Sequence, residues 1–229
     1  MEPMQKTLRL SSEERREEII AAARAVFADK GFDGTTTREL AKAAGVSEAL
    51  IFKHFPTKEA IYHAMLASCQ ESPLGNEVRN LLALEPSTST LAIMMHFLAS
   101  KLILVKNEAC SSRLLLRSLC EDGDFARIVL RHVGETWIAK VGECLEEAQK
   151  AGDLRISPDK LKTSGWLSHH LVLMISFMNF PVKPAVDYKV SRQKLAEEAV
   201  LFCLRGMGLK EDAIKRHYNP RAYELLSAR

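Results

Sequence analysis

The chain has 229 residues, of which 47% are apolar and 27% charged, and carries a formal net charge of +3. That length holds one medium domain or a small one fused to a larger one, and the composition is that of an ordinary globular protein. The longest apolar run, Trp166–Phe180, contains His169, His170 and Asn179 and falls short of the roughly 20 apolar residues of a membrane span, so no membrane partner is expected.

The N-terminal stretch MEPMQKTLRL lacks the apolar segment of a secretory signal. Five widely spaced cysteines (Cys69, Cys110, Cys120, Cys144, Cys203) include no C-x-x-C pair, which fits reduced thiols in a cytoplasmic protein. Apolar residues recur at helical spacing almost throughout, and no segment sustains period-two alternation. The fold class expected is all-α.

In chain order, Ser11-Ser12-Glu13-Glu14 starts a first helix by a capping box, and Gly31 ends it. Its stripe Ile19, Ala23, Val26, Phe27 must pack on a neighbour. Thr36-Thr37-Arg38-Glu39 is a second capping box, opening a helix through Ala44, and Gly45 supplies the positive φ of a tight turn. Ser47 caps a third helix to about Phe55, and Pro56-Thr57-Lys58 starts a fourth that ends before Ser72-Pro73-Leu74-Gly75. Further helices are predicted near 88–107, 111–121, 124–151, 157–179 and 190–207, broken at Asn107, Asp122-Gly123, Gly152 and Pro181-Val182-Lys183-Pro184. The tail from Leu209 adds short helices.

Residues 35–58, TTTRELAKAAGVSEALIFKHFPTK, have the layout of a helix-turn-helix that lays its second helix in a major groove about 12 Å wide. Ile51 and Phe55 can face inward with Val46 onto Leu40, Ala41 and Ala44, while Ser47, Leu50 and His54 share another face. Lys53 can reach a phosphate or a guanine edge, His54 a phosphate, and Lys58 a phosphate at the next helix start. Charge alone does not point to DNA, because residues 1–65 hold ten Lys/Arg and ten Asp/Glu.

Residues 13–66 resemble the N-terminal domain of the tetracycline-repressor (TetR) family. The resemblance is carried by Ala23, Phe27, Gly31 and Phe32 (A-x-x-x-F-x-x-x-G-F), the Thr-rich cap, A-x-x-A-G-V-S and F-K-H-F-x-x-K-E, and it covers about a quarter of the chain. It implies an N-terminal three-helix helix-turn-helix DNA-binding domain at 11–71 and a larger helical-bundle effector-binding and dimerisation domain at 75–229. By the same resemblance Thr36, Thr37 and Arg38 anchor the DNA backbone, Ser47, Glu48, Ala49 and Leu50 read base edges, and Phe52, Lys53, His54 and Lys58 grip phosphates. Two positions depart from the family pattern: Ala49 stands where Gly is usual, and Phe52 where Tyr is usual, which leaves Phe52 only a packing role. Glu48 would repel phosphate unless it accepts a hydrogen bond from a cytosine amine.

The partners implied are a double-stranded DNA operator, a second copy of the chain and a small apolar or amphipathic effector; no cofactor is implied. In the family, helices at the positions of 157–179 and 190–207 form a four-helix dimer interface, for which Leu161, Ser168, Val172, Ile175, Leu195, Ala199 and Phe202 make suitable stripes. Phe97, Arg113, Arg117, Trp137, Trp166, His170 and Met174 are the residue types a ligand pocket would recruit. Adjacent His169 and His170 point apart on a helix and do not make a chelating pair.

No G-x-S-x-G, P-loop, dinucleotide fingerprint or H-E-x-x-H is present, so an enzyme is not expected. The reading is a ligand-responsive repressor that binds a palindromic operator as a dimer. The alternatives are a helical dimerisation or interaction protein without operator binding, and an all-α enzyme.

Overall fold

A computed structural model describes residues 11–70, 73–104, 109–121, 123–157 and 163–221. The described chain is helical, and its one β-type contact is an isolated antiparallel bridge between Leu154 and Leu209. Backbone contacts divide it into two compact units, Met1–Glu77 with Arg117–Asp122, and Val78–Leu116 with Gly123–Arg229.

In the first unit, α1 (Ser12–Lys30) begins where Ser11 and Glu14 exchange the reciprocal bonds of a capping box. It ends at Gly31, whose φ of +76° and ψ of 177° only glycine adopts without strain. Thr36 and Glu39 repeat the capping box at α2 (Thr37–Ala43), and Ser47 caps α3 (Glu48–His54) through the Leu50 amide. Between them Gly45 turns the chain at φ +65°. α4 (Lys58–Gln70) and α2 both pack on α1, and α3 packs on α2. The expected inward face is present: Ile19, Ala23, Phe27, Leu40, Ala41, Ile51 and Phe55 are all buried.

α5 (Pro73–Leu82) follows where the sequence reads as a breaker. Proline at the first helical position loses no hydrogen bond, so Pro73 opens this helix, and Leu74, Val78, Leu81 and Leu82 supply its apolar face.

In the second unit, α6 (Thr88–Ala99) is buried on nearly every side and packs on α9, α10, α11 and α12, as expected of a helix apolar all round. It continues as a π-helical segment, Ser100–Leu104. α7 (Ala109–Cys120) crosses from one unit to the other, its last turn clustering with the first. The predicted helix 124–151 is α8 (Asp124–Val133), a π-helical segment (Gly134–Ile138) and α9 (Ala139–Lys150) in continuous succession. Close packing on α10 (Ser164–Met178) explains two glycines: a Cβ at Gly134 would lie 3.1 Å from the Trp166 ring, and one at Gly165 3.3 Å from Val141. α11 (Arg192–Gly206) completes the layer around α6.

α12 (Glu211–His217) is held by one buried carboxylate. Asp153 accepts from Thr88 Oγ1 at 2.6 Å and Arg216 at 2.6 Å, and His217 Nε2 lies 3.3 Å away. Its backbone carbonyl takes the Lys210 amide at 2.9 Å, and Ser89 meets His217 Nδ1 at 2.8 Å. α12 is thereby tied to the start of α6 and the loop after α9.

Burial removes water from the His169 imidazole, with His170 next to it, and pushes its pKa down to about 4 from the usual 6.5. The unfolded chain then binds more protons than the folded one between those values, so the stability is complete above pH 6.5 and is lost as pH falls toward 4. The expected loss is about 3 kcal/mol, read as the difference in urea stability between the wild type and His169→Leu across that window. Equal pH slopes in the two proteins would refute it.

Burial also raises the Cys203 thiol to about 11 and raises Cys144, opposite to what a reactive, oxidant-sensing thiol needs.

Candidate nucleic-acid interface

The turn at Gly45 and two capped helices present one side of α3 to solvent. Ile51 is 0% and Phe55 1% exposed, whereas Glu48, Ala49, Phe52 and Lys53 are exposed, and Leu50 and His54 lie at the margin. α1 holds the end of α3: the Arg16 guanidinium lies 4.3 Å from the centre of the Phe55 ring and donates to the His54 carbonyl at 3.1 Å.

The neutral charge of this region is resolved by how its acids are tied up. Glu39 pairs with Lys30 at 2.5 Å and accepts from the Thr36 amide, and these bonds hold its carboxyl down to about 2. Glu48 accepts the Thr37 hydroxyl at 2.5 Å. Arg38, Lys42 and Lys53 meanwhile carry no ion pair among the described residues, and Arg38 and Lys42 share one face of α2 by their i, i+4 spacing. Cations are therefore left available on α2 and α3 without any excess of them in composition.

Four of the residues expected to contact DNA have other surroundings than their sequence reading gave them. Lys58 turns back beneath the loop after α1, donating to the carbonyls of Phe32 at 2.7 Å and Thr35 at 3.1 Å and lying 4.1 Å from the centre of the Phe32 ring. It clips α4 to that loop, where the Phe32 carbonyl also accepts the Thr35 amide at 3.2 Å. Phe52 packs only in part within the chain; it is 49% exposed. Thr36 and Ser47 use their hydroxyl oxygens in helix caps, so a backbone contact from Thr36 or a base contact from Ser47 must share an oxygen already in use.

The residues predicted for a ligand pocket do not converge. Phe97 and Trp137 pair with ring centres 6.3 Å apart, and Trp166 and His170 with centres 5.4 Å apart. Arg113 lies 6.0 Å from the centre of the Phe180 ring. Arg117 belongs to the first unit, where it donates to the Asp29 carbonyl and pairs with Glu121 at 2.8 Å. His170 and Met174 lie on the outer surface of α10. Two buried nitrogens escaped the sequence reading: Trp137 Nε1, part of a predicted residue, and His169 Nδ1 have no hydrogen-bond partner among the described residues. Burial without partners leaves no trace in local sequence.

Four of the predicted dimer residues, Ser168, Val172, Ile175 and Ala199, are buried inside the chain, and Leu195 packs against the same core. Phe202 apart, the described part of the predicted stripe is the inner one. The outer apolar stripe is Leu167, 66% exposed, with Met174 on α10 and Phe202, 65% exposed, on α11. Leu161 lies outside the described residues.

Among the described residues no helix is long and apolar enough to cross a membrane.

Comparison with known proteins agrees with this architecture. Residues 19–65 match the family described as bacterial regulatory proteins, tetR family. The HTH-type transcriptional repressor Rv1474c of Mycobacterium tuberculosis is 30% identical over 114 residues. That match takes in 49% of this chain and 55% of the relative, so the chain spans about half the length of that repressor. NalD, the secondary repressor of the MexAB-OprM multidrug efflux pump in Pseudomonas aeruginosa, superposes with a TM-score of 0.65 at 20% identity, over 87% of this chain and 98% of NalD. AibR in complex with isovaleryl coenzyme A and operator DNA superposes at 0.62 and 17% identity, over 82% of this chain and 97% of AibR. At those identities the two structures establish the fold.

Proposed function

We propose that this chain, a member of the tetR family of bacterial regulatory proteins, is a ligand-responsive transcriptional repressor that reads a palindromic operator as a homodimer. The observation that carries the reading is α3 itself. A seven-residue helix offers Glu48, Ala49, Phe52 and Lys53 outward while Ile51 and Phe55 anchor it inward. Alone it would be too short to persist in water, so its presentation depends on the base beneath it.

The dimer face is the outer stripe Leu167, Met174 and Phe202, because large apolar side chains this exposed favour a covering partner. Two-fold pairing would set the α3 helices roughly 34–36 Å apart, one turn of DNA. Residues 11–71 act as the reading domain and 75–229 as the effector-binding and dimerisation domain, working in the cytoplasm, where the DNA is.

The effector is small and amphipathic. Support comes from Trp137: its ring sits beside Phe97 in a π-helical turn, a distortion frequent at functional sites, and its buried N–H lacks an acceptor. An unpaired buried donor costs about 1–3 kcal/mol, which an acceptor on a bound ligand would relieve. Coupling of about 1–3 kcal/mol would change operator affinity 5- to 150-fold. A role in regulation accounts for these features without any catalytic step.

The test is binding to duplexes selected from a randomised pool, measured by fluorescence anisotropy across a salt series. Lys53→Ala should weaken binding on every sequence and lower the salt slope by about 1, the signature of one lost phosphate contact. A protein that enriches no sequence, or a variant with an unaltered slope and affinity, would refute the assignment.

A further inference from the structure

The helix-turn-helix holds an acid on the side that meets DNA, and this acid is tethered. Glu48 is the first residue of α3 and Thr37 the first of α2. The Thr37 hydroxyl donates to Glu48 Oε1 at 2.5 Å, linking the two helices across the turn. Glu48 Oε2 has no partner among the described residues. One carboxylate oxygen is thus fixed and the other left as an acceptor on an exposed face. Lys30 already occupies Glu39, and Arg38, Lys42 and Lys53 form no ion pair with Glu48.

A carboxylate brought against DNA is repelled by phosphates and by base acceptors. The major groove offers it two kinds of donor, the amines of cytosine and adenine. The adenine amine stands beside the N7 acceptor of the same base, a pair suited to an amide that donates and accepts together. An ionised carboxylate only accepts, and meets repulsion from N7. Cytosine presents its amine without an acceptor on the same base edge in the groove.

We infer that Glu48, positioned by the Thr37 hydroxyl, selects a cytosine in each operator half-site, and that Thr37 acts as a specificity-positioning residue. The inference rests on the operator-binding reading above. It makes a directional statement about substitution. Gln at position 48 has the donor and acceptor that adenine matches, so the preferred base should change in identity as well as weaken.

The experiment selects bound sequences from a randomised duplex pool with the wild type, Glu48→Gln, Thr37→Val and Lys53→Ala, each first checked for an unchanged melting profile. The wild type should enrich a cytosine at one position of each half-site, preferring it over adenine by about 5- to 100-fold. Glu48→Gln should convert that position to adenine. Thr37→Val, which keeps the shape and removes the hydroxyl, should leave the same position tolerant of several bases. Lys53→Ala should weaken binding without changing the base there.

If the wild type enriches a sequence and both Glu48→Gln and Thr37→Val enrich the same one, the inference is overturned while operator reading stands. If Glu48→Gln shifts the base but Thr37→Val retains full cytosine preference, the positioning role of Thr37 falls. If the wild type enriches nothing, both the inference and the function it rests on fail together.

Discussion

Replacing Phe27 by alanine is expected to lower the stability of the first unit by about 3–5 kcal/mol and to abolish operator binding. Phe27 is 0% exposed. Its ring stacks on Phe32 with centres 5.8 Å apart and meets Tyr62 edge-on at 5.1 Å, joining α1, the loop after it and α4. Nothing nearby can fill the space of a lost ring without moving a helix, so the cavity cost adds to the lost burial. The effect reaches DNA because α2 and α3 have seven residues each and no stability of their own. A typical domain is stable by about 5–15 kcal/mol in total, so a loss of this size can unfold a small unit outright. Differential scanning calorimetry and anisotropy on the selected operator would check it. A variant that melts and binds like the wild type would show that α1 is not the base on which α3 depends.

Replacing Asp153 by alanine is expected to cost the second unit about 3 kcal/mol, concentrated at α12. The carboxylate is 4% exposed and receives Thr88 and Arg216, each at 2.6 Å. Hydrogen bonds to a charged group are worth about 1.5–3 kcal/mol each, and removal strands the buried Thr88 hydroxyl. Arg216 loses less, since its side chain is half exposed and regains water. The signature is local: amide exchange over 211–217 should accelerate well before that of α6, and Thr88→Val should reproduce part of it. Uniform exchange across the second unit would mean that Asp153 does not clamp α12.

Legibility in the sequence followed the range of the interaction. The capping boxes at Ser11–Glu14 and Thr36–Glu39, the Ser47 cap and the Gly45 turn each involve residues within a few positions, and all were readable in the chain. The inward positions of Ile51 and Phe55 were equally readable from helical spacing. The fourth helix ends before Ser72 as expected, but the helix that Pro73 opens was missed, because proline both follows helix ends and starts helices and the residue alone does not distinguish the two.

On α10 and α11 the periodicity was correct, but of the residues expected at a dimer interface only Phe202 lies on the outer side among the described residues. α10 carries two apolar stripes, and spacing identifies stripes without saying which one the rest of the chain covers. Ser168, Val172, Ile175 and Ala199 lie against the core, leaving Leu167, Met174 and Phe202 outside. The same limit applied to Lys58, whose ammonium has no sequence mark telling a phosphate ligand from a clip on the Phe32 and Thr35 carbonyls.

By itself the sequence determined the helices of the reading head, their caps, their turn and the inward side of α3. Those depend on backbone preference and on spacing along a single helix, which are properties of neighbours in the chain. Only the tertiary structure decided which charges remained available on that head. Glu39 pairs with Lys30, nine positions away, and Glu48 keeps its charge but is held by the Thr37 hydroxyl, eleven positions away, so Arg38, Lys42 and Lys53 form no ion pair among the described residues. Electrostatics act through space and fall with distance, so a charge count made along the chain cannot say which charges cancel.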